Sequence, residues 1–206
     1  MGRVGQRDVS TSLRYDSHMY GAAIARMSEE EYLAYDHAHE GKHEFVHGDV
    51  IAMAGVSAAH DSICANLMVA FGTRLRGTGC RVHTADLRVR IGETGMYAYP
   101  DATIHCGRAE FAPTQPETLL NPRFVFEVLS ESTADYDLGA KAAHYRQRES
   151  VEAIILIDSR RRAVQTQTRN LDGTWLLSDF SEGSLRLSGI DTVVPLDELY
   201  EAVQWA

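Results

Sequence analysis

The run Phe124-Val-Phe-Glu-Val-Leu129 constrains the fold more than any other stretch of the chain. It is apolar at successive positions, not alternate ones, which predicts a short central strand covered on both faces. Val151-Glu-Ala-Ile-Ile-Leu-Ile-Asp158 reads as another buried strand. Strands of this kind need cover on both sides, so the expected class is α/β (α+β): a mixed, curved sheet flanked by helices.

The flanking helices have sequence signals of their own. Ser28-Glu-Glu-Glu31 is an N-cap followed by acidic first-turn residues and opens a short helix to about residue 38. Residues 43–53 read as two short strands around a Gly48-Asp49 turn. A long helix is expected from 57 to about 76, its buried stripe formed by Ile63, Leu67, Ala70, Phe71 and Leu75, with Gly77 and Gly79 ending it. Residues 81–91 and 97–106 read as strands, and 107–122, with three prolines, as a loop. A second helix should run from 135 to about 149. The remainder alternates around Leu171-Asp-Gly173 and Glu182-Gly183, as an antiparallel meander does, before a final helix from 196 to about 203. Residues 1–26 lack an apolar period and read as a disordered arm or leader, leaving 27–206 as one domain.

Composition sets limits. At 206 residues, 44% hydrophobic and 24% charged, the chain is globular and large enough to fold without disulfides. Its three cysteines, Cys64, Cys80 and Cys106, form no CxxC pair, which argues against an oxidised framework and for a reducing, cytoplasmic setting. Cys64 and Cys106 read as small core residues. No apolar run approaches the roughly 20 residues of a membrane helix, so no membrane partner is expected. The net charge of -9 disfavours a broad phosphate-binding face, so a polyanion site must be local or carried by metal.

The chemistry concentrates in a few positions. Glu127 interrupts the apolar strand, where a buried carboxylate is costly unless paired or metal-bound. Asp101 follows Pro100 in another apolar stretch, and two such acids on adjacent strands could hold one hard cation. Only two of the 20 basic residues are lysines, Lys42 and Lys141, so Lys141 stands out as a compact ammonium. At helical spacing Asp137, Lys141, His144 and Arg148 share one face, with Leu138, Ala142 and Tyr145 opposite.

The segments Lys42-His-Glu-Phe-Val-His-Gly-Asp-Val50, Asp86-Leu-Arg-Val, Tyr99-Pro-Asp101, Phe126-Glu-Val-Leu-Ser130 and Lys141-Ala-Ala-His-Tyr145 occur in an order that resembles the Uma-type restriction endonucleases, within the PD-(D/E)XK nuclease superfamily. The resemblance covers about residues 27–203. It implies a restriction-endonuclease-like fold, a homodimer, and metal-assisted hydrolysis of phosphodiester bonds in nucleic acid, DNA before RNA. By the same resemblance Asp101 is the first motif acid and Glu127 the second. Lys141 takes the place of the motif lysine, whose usual position is here Leu129, and Glu44 completes the metal shell. Asp101, Glu127, Glu44 and the backbone carbonyl of Val128 would bind Mg2+ or Mn2+. His60, Asp86, Asp137, His144 and Tyr145 are candidates to surround these ligands. The rival reading is a nuclease-like domain that binds nucleic acid or a protein without cleaving.

Blander readings stand beside these. Lys141 and Asp137 could form an ordinary i,i+4 bridge. His37, His39, His43 and His47 offer imidazoles suited to zinc or nickel, but they straddle a helix–strand boundary and read as solvated. Arg160-Arg-Arg162 is a basic turn that reads as solvated, with a phosphate contact as the alternative.

Overall fold

The apolar strand lies near the middle of a six-stranded sheet. The structure, a computed structural model, describes residues 24–53 and 55–205. Most of the expected arm, residues 1–23, therefore lies outside the described residues, whereas Ala25–Arg26 (β1) pairs with Asp49–Ala52 (β3). Next come α1 (Glu29–Ala38), β2 (His43–Val46), β3, α2 (Ala58–Arg74), β4 (Cys80–Thr84), β5 (Arg88–Ile91), β6 (Met96–Ala98), β7 (Ala102–Cys106), β8 (Phe111–Ala112), β9 (Gln115–Leu119) and β10 (Phe124–Leu129). Then follow α3 (Ala134–Tyr136), a π-helical turn (Asp137–Lys141), α4 (Ala142–Gln147), β11 (Ala153–Asp158), β12 (Val164–Arg169), β13 (Trp175–Phe180), β14 (Ser184–Leu187), β15 (Thr192–Pro195) and α5 (Leu196–Leu199).

Two larger sheets result where one was expected. One has the order β13-β12-β11-β10-β7-β4, the other β1-β3-β2-β6-β5-β9-β8, and β14-β15 is a separate hairpin. In the first, β10 runs parallel to β11 and antiparallel to β7. Phe124, Phe126 and Val128 face the stripe of α2, where Ile63, Leu67, Ala70, Phe71 and Leu75 are all buried. Val125 and Leu129 face the second sheet, meeting Val46, Val89, Ile91 and Met96, with Ala142 and Tyr145 of α4 in the same cluster. Both faces of β10 are thus dry, as its apolar run requires. The meander was legible only in part: β12 and β13 extend the central sheet, and only β14–β15 stands apart.

Several boundaries move. The expected strand over 81–91 is β4 and β5, one in each sheet, and the strand over 97–106 is β6 and β7, split around Tyr99-Pro-Asp101. Alternation marks both halves equally, so it cannot show where the chain changes sheet. The expected loop at 107–122 contains β8 and β9. Proline does not prevent this, because Pro116, inside β9, falls in the irregular stretch between the Ala112–Gln115 and Phe111–Leu119 pairs. The final helix is only four residues long. The expected N-cap is present, Ser28 and Glu31 forming a reciprocal capping box, and Ser57, where the long helix was expected to begin, is its N-cap, its side chain accepting from the His60 N–H.

The cysteine expectation is corrected. Cys80 and Cys106 stand directly opposite each other on β4 and β7 and are joined in a disulfide, leaving Cys64 as the free thiol. Pairing across two strands 26 residues apart leaves no local spacing signature. The inference of a reducing compartment loses its premise. No described helix is long and apolar enough to cross a membrane.

Candidate active site

The change of sheet at Tyr99-Pro-Asp101 places the first acid. Ala102 pairs with Phe126, so Asp101 sits one step beyond the paired region, level with Glu127 on β10. Asp101 Oδ2 accepts from the Val128 N–H at 2.7 Å and lies 3.4 Å from His60 Nε2, on the first turn of α2. Glu44 arrives from the other sheet on β2, its side chain on the opposite face from Phe45. It is buried.

Lys141 reaches both acids. Its Nζ lies 2.8 Å from Glu44 Oε1, 2.9 Å from Glu127 Oε1 and 3.6 Å from Asp137 Oδ1, and the residue is only 3% exposed. The bland reading of a surface bridge to Asp137 therefore fails: the bridge exists but is buried and is the longest of the three. The π-helical turn makes this possible. A wide i→i+5 turn holds more residues per turn than the 3.6 of an α-helix, so a step of four falls short of a full turn, not past it. The following α-helical step of four overshoots, and Asp137, Lys141 and Tyr145 come into line. Tyr145, expected on the opposite face, thus donates its hydroxyl to Glu127 Oε1 at 2.6 Å. The Tyr136 hydroxyl donates to Glu44 Oε2 at 3.3 Å.

Burial and mutual charge set the protonation. Burial pushes Glu127 well above the usual carboxylate range, against the pull of Lys141, with the charges of Asp137, Asp101 and Glu44 adding to the rise. Burial works against the Lys141 charge, yet Glu127 and Glu44 outweigh it and hold its pKa well above the ordinary value. Asp137 is raised by burial, and Tyr145 is raised by burial and by Glu127. Burial lowers His60, but its hydrogen bond and charge interaction with Asp101 prevail and raise it.

These groups line a cavity of about 160 Å3 containing Glu44, His60, Asp101, Glu127, Asp137 and Lys141. Four carboxylates share one ammonium there, and this surplus of oxygen donors suits a hard divalent cation. Among the described residues one further group has metal-ligand spacing: His60, Cys64 and Asp101, with one ligand atom from each lying within 4.8 Å of the others.

Comparison with known proteins agrees with this architecture. Residues 29–196 match the Uma2 family, described as "Putative restriction endonuclease". The chain belongs to the Uma2 family. Two uncharacterized proteins of Synechocystis sp. are similar to it. One is 31% identical over 188 residues, covering 91% of this chain and 98% of the relative. The other is 30% identical over 149 residues, covering 72% and 84%. A crystal structure from Anabaena variabilis, described as a putative nuclease belonging to DUF820, shares the fold with a TM-score of 0.72 at 14% identity, over 86% of this chain and 99% of that one.

Not every expected residue of this Uma2 chain joins the cavity. Asp86 stays on the surface, its carboxylate paired with Lys42 Nζ at 2.8 Å. His144 is buried on the far side of α4 against the His47 ring, with centroids 5.3 Å apart. The four early histidines diverge: His37 is exposed, His39 Nδ1 meets the Tyr35 carbonyl, His43 meets Asp36, and His47 packs on His144. In the arginine run, Arg160 and Arg161 bind Asp158, and Arg162 binds Asp197. Sequence reasoning missed Cys64 and Tyr136 at the site. The i,i+4 spacing of His60 and Cys64 on a helix was the available signal for the first; only the π turn brings in the second.

Proposed function

We propose that this Uma2 chain is a metal-dependent endonuclease that hydrolyses phosphodiester bonds, with DNA as its substrate. The observation carrying the reading is the buried Lys141 ammonium within 2.9 Å of both Glu44 and Glu127, beside Asp101 at the neighbouring strand end. Asp101, Glu127, Glu44 and the Val128 carbonyl would hold Mg2+ or Mn2+. A bound divalent ion would neutralise phosphate charge and lower the pKa of its water. Lys141, reaching over from the helix in place of a lysine at Leu129, orients the attacking water and stabilises charge developing on the phosphate. Tyr145 fixes the Glu127 carboxylate through its hydroxyl. Two copies in a homodimer would present two such centres to a duplex.

Plasmid cleavage with Mn2+ tests this. Glu127→Gln and Lys141→Ala should each lower the rate by about 10²-fold or more, in keeping with the loss of a positioned catalytic group. Equal cleavage by wild type and both variants would overturn the assignment.

One observation favours a second reading, a nuclease-like domain that binds without cutting. The position two residues after Glu127 holds Leu129 in place of the motif lysine, and the Lys141 ammonium that replaces it is held among Glu44, Glu127 and Asp137. Metal-dependent DNA binding by wild type without any cleavage would favour it.

A further inference from the structure

Cys64 has no part in the hard-cation chemistry above, yet it sits beside two residues that do. His60 and Cys64 are one helical step of four apart on α2, so both side chains leave the same face. That face meets Asp101 at the sheet change. His60 Nε2 is 3.4 Å from Asp101 Oδ2, Cys64 Sγ is 3.5 Å from His60 Nδ1, and one ligand atom from each of the three residues lies within 4.8 Å of the others.

We propose that His60, Cys64 and Asp101 form a three-ligand site for a borderline divalent ion, zinc foremost. Zinc bonds of about 2.0–2.3 Å to nitrogen, oxygen and sulfur place tetrahedral ligands roughly 3.3–3.8 Å apart. The His60–Asp101 separation already has that value, and the third ligand atom, from Cys64, lies within 4.8 Å of the other two. A thiolate beside an imidazole selects zinc or cobalt over Mg2+, which takes oxygen ligands. Three protein ligands leave the fourth position open, as in catalytic zinc sites. Both His60 and Asp101 line the cavity, so that position is reachable from it. The inference deepens the nuclease reading and rests on it for the reaction served; the binding itself does not depend on it.

Cobalt substitution tests the site in the full chain. With Cys80 and Cys106 joined, Cys64 is the free thiol, so Co2+ should produce a thiolate-to-cobalt charge-transfer band in the near ultraviolet. The band should vanish in Cys64→Ser. By calorimetry, zinc affinity should fall at least tenfold in Cys64→Ala and in His60→Ala, while Mg2+ binding in Cys64→Ala should match wild type. Absence of the band, or unchanged zinc affinity in Cys64→Ala, overturns the site. Glu127→Gln separates the two ideas, because it should abolish cleavage and keep the cobalt band. A band present in a wild type that never cleaves DNA would remove the nuclease reading alone.

Discussion

Lys141 shows how one side chain can be both a structural and a chemical commitment. Its ammonium is surrounded by Glu44, Glu127 and Asp137, all buried. Removing one partner of a buried ionic group leaves the others uncompensated and typically costs about 3–5 kcal/mol. We expect Lys141→Ala to lower stability at pH 8 by about 3 kcal/mol, measured by urea unfolding. Wild-type stability at that pH would show that the acids take up protons without penalty. The sequence marked Lys141 by its rarity and Glu127 by its apolar surroundings. It could not mark Tyr136, whose residue type is common in cores and whose importance lies in what it faces, and it marked Cys64 only by its i,i+4 spacing from His60.

At the scale of elements, the helix after β10 carries the largest departure from periodic reading. Tyr145 stands four residues after Lys141, and the α-helical step between them keeps both side chains on one face beside Glu127, so the reading that set Tyr145 opposite is corrected. The π turn over Asp137–Lys141 shifts the phase, and no residue pattern announced it. The same helix packs His144 against His47 of the β2–β3 turn. Burial, with His47 nearby, lowers the His144 pKa to about 4. A histidine with a depressed folded pKa contributes stability that is present above its unfolded value near 6.5 and is lost as pH falls toward 4. Thermal melts should therefore show His144→Phe losing less stability than wild type between pH 7 and 5, by on the order of 2 kcal/mol. An identical pH slope in both proteins would show that His144 does not titrate across this range.

At the scale of the molecule, two sheets and the long helix α2 converge on one cavity. Glu44 comes from one sheet, Glu127 from the other, Asp101 from the chain passing between them and His60 from α2. The disulfide between Cys80 and Cys106 fastens β4 to β7, the strand that begins just after Asp101. Closing a loop over 26 residues should contribute about 3 kcal/mol through the unfolded state. The double variant Cys80→Ala, Cys106→Ala should melt lower than oxidised wild type, and reductant should move wild type toward the variant. Equal melting temperatures under oxidising conditions would show that the bond adds nothing.

The amino-acid sequence by itself determined the local features: the dry central strand, the α2 stripe, the cap at Ser28, and the acids and lysine worth watching. These depend on periodicity and on neighbours within one or two turns, which a chain carries in its order. Tertiary structure alone decided which sheet each half of a strand enters, that Cys80 meets Cys106, that Asp86 stays on the surface, and that Cys64 faces Asp101. Those outcomes depend on pairing between residues far apart in the chain, where many registers satisfy the same alternation and only the packing of the whole selects one.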